Sequence, residues 1–239
     1  MRLAAETLIK RFGRQPIVDG VSLGVESGHV VGLLGPNGAG KTTTFHLIVG
    51  LAAPDAGRIT LDGEEITRES FHSEARRGIN YLPQEPSVFR KLSVLENLLL
   101  VLERQNGSRV DRRNRAEELL IKLNISQLAS QRADTLSAGE RRRVEIARAL
   151  ASTPRFLLLD EPFTGIDPLS VEGLQEIIFQ LKAEGIGIIV TDHNVRETLR
   201  VTDYVYLLQG GRIFLEGLPR EIEENPLAKK FYLGERFQL

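Results

Sequence analysis

The sequence predicts an α/β fold, in which a parallel sheet is covered by helices, a small antiparallel sheet lies on the N-terminal side and a helical insertion interrupts the pattern. Short apolar runs alternate with amphipathic stretches along much of the chain, which is typical of a parallel sheet with helical crossovers. A hairpin signal occurs early in the chain, and the strand pattern disappears between about residues 85 and 150.

The early strand signals account for the small antiparallel sheet. Residues 58–63 indicate a hairpin strand that ends in Asp62-Gly63, a dipeptide that favours the tight turn of a β-hairpin. Together with residues 3–25, this strand predicts an antiparallel sheet that is separate from the parallel one.

The first elements of the parallel sheet are predicted from apolar runs and from the glycine and proline residues that end them. Residues 28–34 predict a buried strand, and residues 41–51 predict a helix that stops near Gly50. Residues 78–84 predict another strand, which Pro83 ends because proline cannot donate to the sheet ladder.

The helical insertion is indicated by capping boxes and leucine spacing. Ser93 and Glu96 form a capping box at the start of a leucine-rich helix, and Ser137 and Glu140 form another before a helix that continues through residue 151. Asp111 is expected to cap a further helix between them. The apolar side of that helix carries Leu119, Leu120 and Leu123.

The sheet pattern resumes at residues 156–159 and again at 186–190. Between these strands runs a helix with one apolar face, made of Leu174, Ile177, Ile178 and Leu181. We expect a single domain over residues 1–239, with a helical subdomain at about 85–152 and a C-terminal tail at 217–239.

Composition excludes several classes of function. The chain has 239 residues and a net charge of −1, which argues against a general nucleic-acid-binding surface. It has no cysteine, so disulfides and thiolate chemistry are excluded. No apolar run approaches the roughly 20 residues of a transmembrane helix, and the first residues lack the apolar core of a secretory signal. We therefore expect residence in the cytosol.

A glycine-rich loop after the first buried strand is the strongest functional signal. Its residues are Gly35, Pro36, Asn37, Gly38, Ala39, Gly40, Lys41, Thr42 and, at the helix start, Thr43. The glycines allow successive backbone N–H groups to point into one concavity, to which the next helix adds the positive end of its dipole. Lys41 supplies a charge for the outer phosphates, and the Thr42 hydroxyl suits Mg²⁺. The loop therefore predicts a nucleoside triphosphate site.

Two carboxylates, Asp160 and Glu161, come directly after the apolar run at 156–159. Ligands of an open α/β sheet bind at the carboxyl ends of its strands, so both side chains are expected near the phosphate loop. One can organise Mg²⁺ and its waters, and the next can accept a proton from the water that attacks the γ-phosphate. An exposed turn pair is the alternative, and the phosphate loop makes it weaker.

A second anion site is indicated at the start of the helix that Ser137 caps. A capped helix start with Gly139 beside it leaves backbone N–H groups free for an anion. Because the chain already has a phosphate loop, this site is expected to serve the nucleotide of another subunit. A simple helix cap is an equal alternative. The arginines that follow are expected to form a solvated helix face, namely Arg141, Arg142 and Arg143.

Gln84 and His193 complete the candidate site. Each is polar and follows a predicted strand at the edge where phosphates would lie. A single glutamine or histidine is more often structural, but this position favours catalysis. The remaining histidines have no such context and stay unassigned, namely His29, His46 and His72.

In this combination and order, the motifs resemble those of the ATP-binding-cassette (ABC) ATPases, and the resemblance covers nearly the whole chain. Residues 35–42 are similar to the Walker A loop of that family, and residues 156–160 to its Walker B strand. Residues 136–140 occupy the place of the signature motif, although Ala138 and Glu140 replace the usual glycine and glutamine. The resemblance implies a P-loop NTPase core of the RecA type, with ATP and Mg²⁺ as cofactors.

The same resemblance implies roles for individual residues. Glu161 would be the catalytic base, and Gln84 and His193 would be the Q-loop and switch residues that assist it. Phe12 would stack on adenine, and Asp167 would belong to the D-loop at a dimer interface. The implied Mg²⁺ ligands are Thr42, Gln84 and Asp160.

Longer stretches narrow the resemblance to the ATPase subunits of bacterial lipopolysaccharide exporters. They are residues 81–94, 140–150, 191–198 and 232–235. This resemblance implies a homodimer beneath two membrane permease subunits, with Phe89 and Arg90 in the groove that receives their coupling helices. Two alternatives stay open, an ATPase of branched-chain amino-acid importers and an ABC ATPase that acts without a transporter.

Overall fold

Two β-sheets organise the chain in the computed structural model, which describes residues 1–76, 78–234 and 237. The smaller sheet contains β1 (Arg2–Phe12), β2 (Gln15–Glu26), β4 (Ala56–Leu61) and β5 (Glu64–Glu65). The larger sheet contains β3 (Val30–Leu34), β6 (Ile79–Leu82), β7 (Phe156–Asp160), β8 (Gly187–Thr191), β9 (Tyr204–Gln209) and β10 (Arg212–Gly217). The strand order is β2-β1-β4-β5 in the smaller sheet and β10-β9-β3-β8-β7-β6 in the larger one.

Helices cover the larger sheet and form the insertion. They are α1 (Lys41–Ile48), α2 (Phe71–Arg76), α3 (Val94–Leu102), α4 (Arg109–Lys122), α5 (Ala138–Ala151), α6 (Pro168–Ala183), α7 (Val195–Val201), α8 (Pro219–Glu224) and α9 (Pro226–Ala228). Short 3-10 turns occur at Ser126–Leu128 and Ala133–Thr135, and a π-helical turn at Lys229–Leu233. Within the described part of the chain, no helix combines the length and the apolar character that crossing a membrane requires.

The larger sheet brings distant segments to one edge. Its strands are parallel except β10, which pairs antiparallel with β9. All residues of β3, β7 and β8 are buried, which is why these strands appear in the sequence as continuous apolar runs. Because β3, β6, β7 and β8 run in one direction, the loops after them leave the sheet at the same edge. The predicted fold class is confirmed.

Glycine and aspartate set the turns around the smaller sheet. Asp62 and Gly63 both have left-handed backbone conformations, with φ of 54° and 84°, so the predicted tight turn joins β4 to β5.

The predicted helix at 41–51 is shorter than expected and ends at Ile48. Gly50 follows it with φ of 78°, where a Cβ atom would lie 2.9 Å from the Glu69 carbonyl oxygen.

Apolar packing divides the interior into layers. One cluster joins α3, α4, α5 and α6 to one face of the larger sheet, and a second fills the space between the two sheets around α1. Alternate residues of β7 belong to different layers: Leu157 and Leu159 pack against the helices, whereas Phe156 and Leu158 pack between the sheets. The strand is therefore held from both faces, up to the residue that precedes Glu161.

The helices of the insertion begin at capping boxes. Ser93 caps α3 as predicted, with its hydroxyl accepting from Glu96 N. The prediction that Asp111 caps the next helix is wrong. Ser108 is the N-cap of α4, and the Asp111 carboxylate accepts from Ser108 N at 2.9 Å, because aspartate three residues after a serine completes the capping box. Boundaries of a helical subdomain near 85 and 152 stay a prediction.

The C-terminal elements pack against the end of β3. Tyr232 and Leu233 are partly buried against a cluster that includes Leu34, Val205 and Ile222. The predicted tail at 217–239, like the motif at 232–235, extends beyond what is described here, since residues 235, 236, 238 and 239 lie outside the described residues.

Candidate active site

Loops that follow four strands of the larger sheet enclose a cavity of about 550 Å³. Its wall combines residues from the loop and helix after β3 with single residues from the loops after β6, β7 and β8. The predicted residues among them are Asn37, Gly38, Gly40, Lys41, Thr42, Thr43, Gln84, Glu161 and His193. Ile17 of β2 also lines the cavity and was missed, because nothing in an apolar strand residue signals a ligand.

The phosphate loop needs glycine where its backbone is left-handed or packs closely against other backbone. Gly38 and Gly40 have φ of 76° and 106°, a region that side chains with a Cβ rarely adopt. A Cβ at Gly40 would lie 2.5 Å from the Ile17 carbonyl oxygen. Gly40 is also the N-cap of α1, so the loop ends at a helix N-terminus, where backbone N–H groups lack helical partners. Gly35, Pro36 and Ala39 belong to the loop but do not line the cavity.

Lys41 spans the phosphate loop from inside. Its side chain is buried, and Nζ donates to the carbonyl oxygens of Gly35 at 2.8 Å and Pro36 at 3.1 Å. Burial lowers the pKa of Lys41, while the nearby carboxylates of Glu161 and Asp160 act in the opposite direction. Neutral carbonyl groups only partly balance the positive charge of Lys41. A phosphate that enters the cavity would supply a full negative charge beside it.

Asp160 lies beneath the cavity at the end of β7. Its side chain is buried, and Oδ2 accepts a hydrogen bond from the Tyr81 hydroxyl at 3.0 Å. Burial raises the pKa of Asp160, and the hydroxyls of Tyr81 and Thr42 act against this shift. The other oxygen, Oδ1, has no hydrogen-bond partner among the residues that the structure describes.

The donors near Asp160 fit Mg²⁺. An unpartnered carboxylate oxygen and the Thr42 hydroxyl are the hard oxygen ligands that this ion prefers. The described part of the chain contains no group of three or more His, Cys, Asp or Glu side chains that could hold a metal alone. The ion would therefore complete its shell with phosphate oxygens and water, as is usual for Mg²⁺.

Glu161 meets Gln84 and His193 on one carboxylate oxygen. Glu161 Oε2 accepts from Gln84 Nε2 at 2.8 Å and lies 3.3 Å from His193 Nδ1. The backbone of Glu161 has φ of 48°, and its N–H donates to the Thr191 carbonyl oxygen at 2.7 Å, which anchors the turn to β8. Three residues separated by up to 109 positions in the sequence are thus joined at one point.

The start of α5 has the predicted capping box but does not line the cavity. Ser137 Oγ accepts from Glu140 N at 3.3 Å, and the Glu140 carboxylate accepts from Ser137 N at 2.9 Å. Ser137 is exposed, whereas Gly139 is buried against Ser170 of α6, where a Cβ would collide with the Ser170 hydroxyl. Within one chain, neither Ser137 nor Gly139 is among the residues that line the cavity.

The expected solvated arginine face is wrong for Arg142. This residue is only 6% exposed, because its guanidinium donates to the carbonyl oxygens of Pro83 at 2.9 Å and Asp160 at 2.8 Å. It also pairs with the buried Glu145 carboxylate at 3.1 Å. Arg142 therefore ties α5 to the loop after β6 and to the last residue of β7. Helical spacing alone could not reveal these partners, which are distant in the sequence.

Three other predicted residues lie on the surface outside the cavity. Phe12, at the end of β1, is 62% exposed. Asp167 caps α6 by accepting from Ser170 N at 3.0 Å, and hydrogen bonds from Ser170 lower its pKa. Phe89 is 46% exposed, with the Arg148 guanidinium 4.9 Å from its ring centre.

The segment that carries Phe89 and Arg90 is anchored from α3. Asn97 is fully buried, and its side chain accepts from Phe89 N at 2.8 Å and donates to the Phe89 carbonyl oxygen at 3.1 Å. The Arg90 carbonyl oxygen accepts from Asp134 N at 3.0 Å. These bonds hold an exposed aromatic ring on a fixed backbone.

Sequence comparison identifies the family. A family model described as ABC transporter matches residues 18–164. The chain is 52% identical over 237 residues to the lipopolysaccharide export system ATP-binding protein LptB of Acidithiobacillus ferridurans, covering 99% of this chain and 98% of that protein. It is 51% identical to the LptB of Haemophilus influenzae and 50% identical to that of Escherichia coli K12, with 99% of each chain covered.

Solved structures agree with this assignment. A crystal structure of an ABC transporter ATP-binding cassette in its ADP conformation has a TM-score of 0.89 and 30% identity, covering 98% of this chain and all of that one. A dimeric cassette in a post-hydrolysis state, bound to ADP and Pi, has a TM-score of 0.81 and 26% identity, covering 91% and 99%. ATP is accordingly the nucleotide of the phosphate loop. The chain is an ATPase of the ABC transporter family and belongs, within it, to the LptB group of lipopolysaccharide export ATP-binding proteins.

Proposed function

We propose that this chain is the ATP-hydrolysing motor subunit that drives lipopolysaccharide export from the bacterial inner membrane. The main observation in support is that residues of the phosphate loop, Glu161 and His193 line the same cavity. The substrate class follows from relatives that are about 50% identical over nearly the full chain and are named for lipopolysaccharide export.

Hydrolysis would proceed by attack of water on the γ-phosphorus. The Glu161 carboxylate accepts a proton from that water, the bond from the γ-phosphorus to the bridging oxygen breaks, and ADP and phosphate are released. Lys41 and the backbone N–H groups of the loop hold the phosphates, while His193 and Gln84 steady the γ-phosphate and the water. Mg²⁺, held by Thr42, Gln84 and Asp160, would neutralise negative charge on the phosphates.

The active form is proposed to be a head-to-tail homodimer with two composite sites. Each phosphate loop would be covered by the partner subunit's Ser137 and the partner subunit's Gly139, and Asp167 would lie at the interface. Two observations support this: Ser137 and Gly139 do not line the cavity of their own chain, and a similar cassette is dimeric. Phe12 would stack on the adenine ring, for which its exposed position is suitable.

The motor is proposed to act at the cytoplasmic face of the membrane, beneath two permease subunits of the LptF/LptG type. Phe89 and Arg90 would receive the permeases, because Phe89 presents an exposed ring on a segment that Asn97 holds rigid. Gln84 lies near the start of that segment and contacts Glu161, so a shift of the insertion would reach the catalytic carboxylate.

Reconstitution tests the proposal directly. The chain is combined with LptF/LptG-type permeases in vesicles that contain lipopolysaccharide, and ATP-dependent release of the lipid to an acceptor is measured. We expect release with the wild type and its loss in Phe89→Ala, with ATP affinity unchanged because Phe89 is outside the cavity. Phe179→Ala is the matched control, since Phe179 is equally exposed but lies on α6.

Two results would contradict the proposal. Absence of ATP-dependent release by the wild type would reject lipopolysaccharide export, and stimulation of hydrolysis by importer permeases instead would favour the branched-chain amino-acid alternative. Release that is unaltered in Phe89→Ala would reject only the permease groove.

A further inference from the structure

Thr164, in the loop after β7, has no role in the mechanism described above, yet its hydroxyl touches three functional groups. Thr164 Oγ1 lies 3.2 Å from Glu161 Oε2 and 3.2 Å from His193 Nδ1. It also lies 3.3 Å from Asp192 Oδ1. The hydroxyl therefore stands between the two side chains to which proton transfer and γ-phosphate contact are assigned.

Backbone groups already satisfy Asp192. Its carboxylate is fully buried; Oδ2 accepts from Phe163 N at 2.8 Å, and Oδ1 accepts from Asn194 N at 2.8 Å. These bonds clamp the loop after β7 to the loop after β8. Since Asp192 does not depend on the Thr164 proton, the hydroxyl is available to the side chains that face the cavity.

A hydroxyl has the chemistry that this position needs. Carboxylates can only accept, and the neutral His193 Nδ1 either donates or accepts, depending on the tautomer. Thr164 has one proton to donate and can accept other hydrogen bonds, so it joins both groups when it donates to Glu161 Oε2 and accepts from a protonated Nδ1. This contact uses Nδ1 and leaves Nε2 of the ring available to a ligand in the cavity that His193 lines.

We propose that Thr164 is a positioning residue for hydrolysis: its hydroxyl fixes the His193 ring and the Glu161 carboxylate relative to one another. This inference rests on the proposed roles of Glu161 and His193. Catalytic groups must be held to within about 0.5 Å of their productive geometry, and a misplacement of about 1 Å can reduce the rate by about 10²-fold. The hydroxyl bonds of Thr164, within the part of the chain that the structure describes, go to Glu161, Asp192 and His193 rather than to the phosphate loop, so we expect ATP binding to be little affected by its substitution.

Three substitutions in the full-length chain test the proposal. Thr164→Val keeps the branched shape and removes the hydroxyl, Thr164→Ser keeps the hydroxyl, and Thr60→Val on β4 is the matched control outside the site. For Thr164→Val we expect kcat to fall by about 10- to 100-fold, with KM and the affinity for a fluorescent ATP analogue changed by less than about twofold. Thr164→Ser restores kcat to within about threefold of the wild type, because the bridging oxygen remains. Thermal unfolding verifies that each variant is folded.

A double-mutant comparison checks that Thr164 acts through His193. In a His193→Ala background, Thr164→Val should reduce kcat by less than it does in the wild type, because the partner of the hydroxyl is already absent. Equal reductions in both backgrounds would overturn the proposal. So would a Thr164→Val variant with wild-type kcat, or a Thr164→Ser variant as slow as Thr164→Val.

The catalytic assignment fails in a distinguishable way. If Glu161→Gln keeps normal turnover, the role of Glu161 is wrong, and the inference about Thr164 fails with it. If Glu161→Gln is slow but Thr164→Val is not, only the inference is rejected.

Discussion

At the carboxyl edge of the larger sheet, Gln84 and His193 both contact Glu161 within a single chain, whereas the backbone N–H groups at the start of α5 are bonded within its own capping box. The first region lines a cavity, to which Ser137 and Gly139 of the second do not contribute. One half of the proposed composite site is thus assembled in the monomer. The other half has the capping box of a helix start, and in the proposed dimer it would meet the nucleotide of the second copy.

The largest effect is expected from a substitution in the part of the site that one chain forms by itself. Glu161→Gln removes the base but keeps a side chain of similar size, so ATP binding should persist while turnover falls by roughly 10²- to 10⁴-fold. Steady-state phosphate release, together with equilibrium binding of ATP, measures both quantities. Turnover near the wild-type value would reject Glu161 as the base.

The next test asks whether the two regions belong to one site in different chains. Lys41→Ala damages the phosphate loop, and Ser137→Arg blocks the start of α5, so each homodimer should be inactive. In a mixed dimer, the intact phosphate loop of the Ser137→Arg chain meets the intact α5 start of the Lys41→Ala chain. One of the two sites therefore has both halves intact. Random pairing of equal amounts should therefore restore about a quarter of the wild-type activity, since about half of the dimers are mixed and each has one good site of two.

Phosphate release from the mixture, measured against each variant alone, decides the outcome. Activity that appears only after mixing supports the composite site. A mixture that stays inactive, or a Ser137→Arg homodimer with wild-type activity, would contradict it.

The smallest effect separates capping from ligand binding. Ser108 and Ser137 are both exposed N-caps in capping boxes, so replacing either with alanine should lower the free energy of unfolding by about 1 kcal/mol. Urea denaturation measures this change. Only Ser137→Ala should also lower turnover in the dimer. Equal turnover in both variants would mean that Ser137 is simply a helix cap.

Signals that are local in sequence predicted the fold well. The apolar runs of β3, β7 and β8 are continuous because both faces of those strands are buried. Local signals do not fix a helix start where two residues can each act as the N-cap, as Ser108 and Asp111 can. In the structure Ser108 is the N-cap of α4, and Asp111 is the third residue of the helix, which completes the capping box.

Residues that act through packing could not be found this way. Arg142 belongs to a run of arginines, and its burial depends on the carbonyl oxygens of Pro83, in the loop after β6, and of Asp160, at the end of β7. Thr164 and Tyr81 gave no signal either, because a hydroxyl becomes informative only when its partners are known.

By itself, the sequence determined the fold class, the phosphate loop, the pair Asp160 and Glu161, and the family, because each of these depends on residues that are adjacent in the chain or at fixed helical spacing. The tertiary structure alone decided which side chains meet: Gln84, Thr164 and His193 around Glu161, and Arg142 beneath them. Such contacts join loops that parallel strands bring to one edge, and the distances between those loops are set by the packing of the whole sheet.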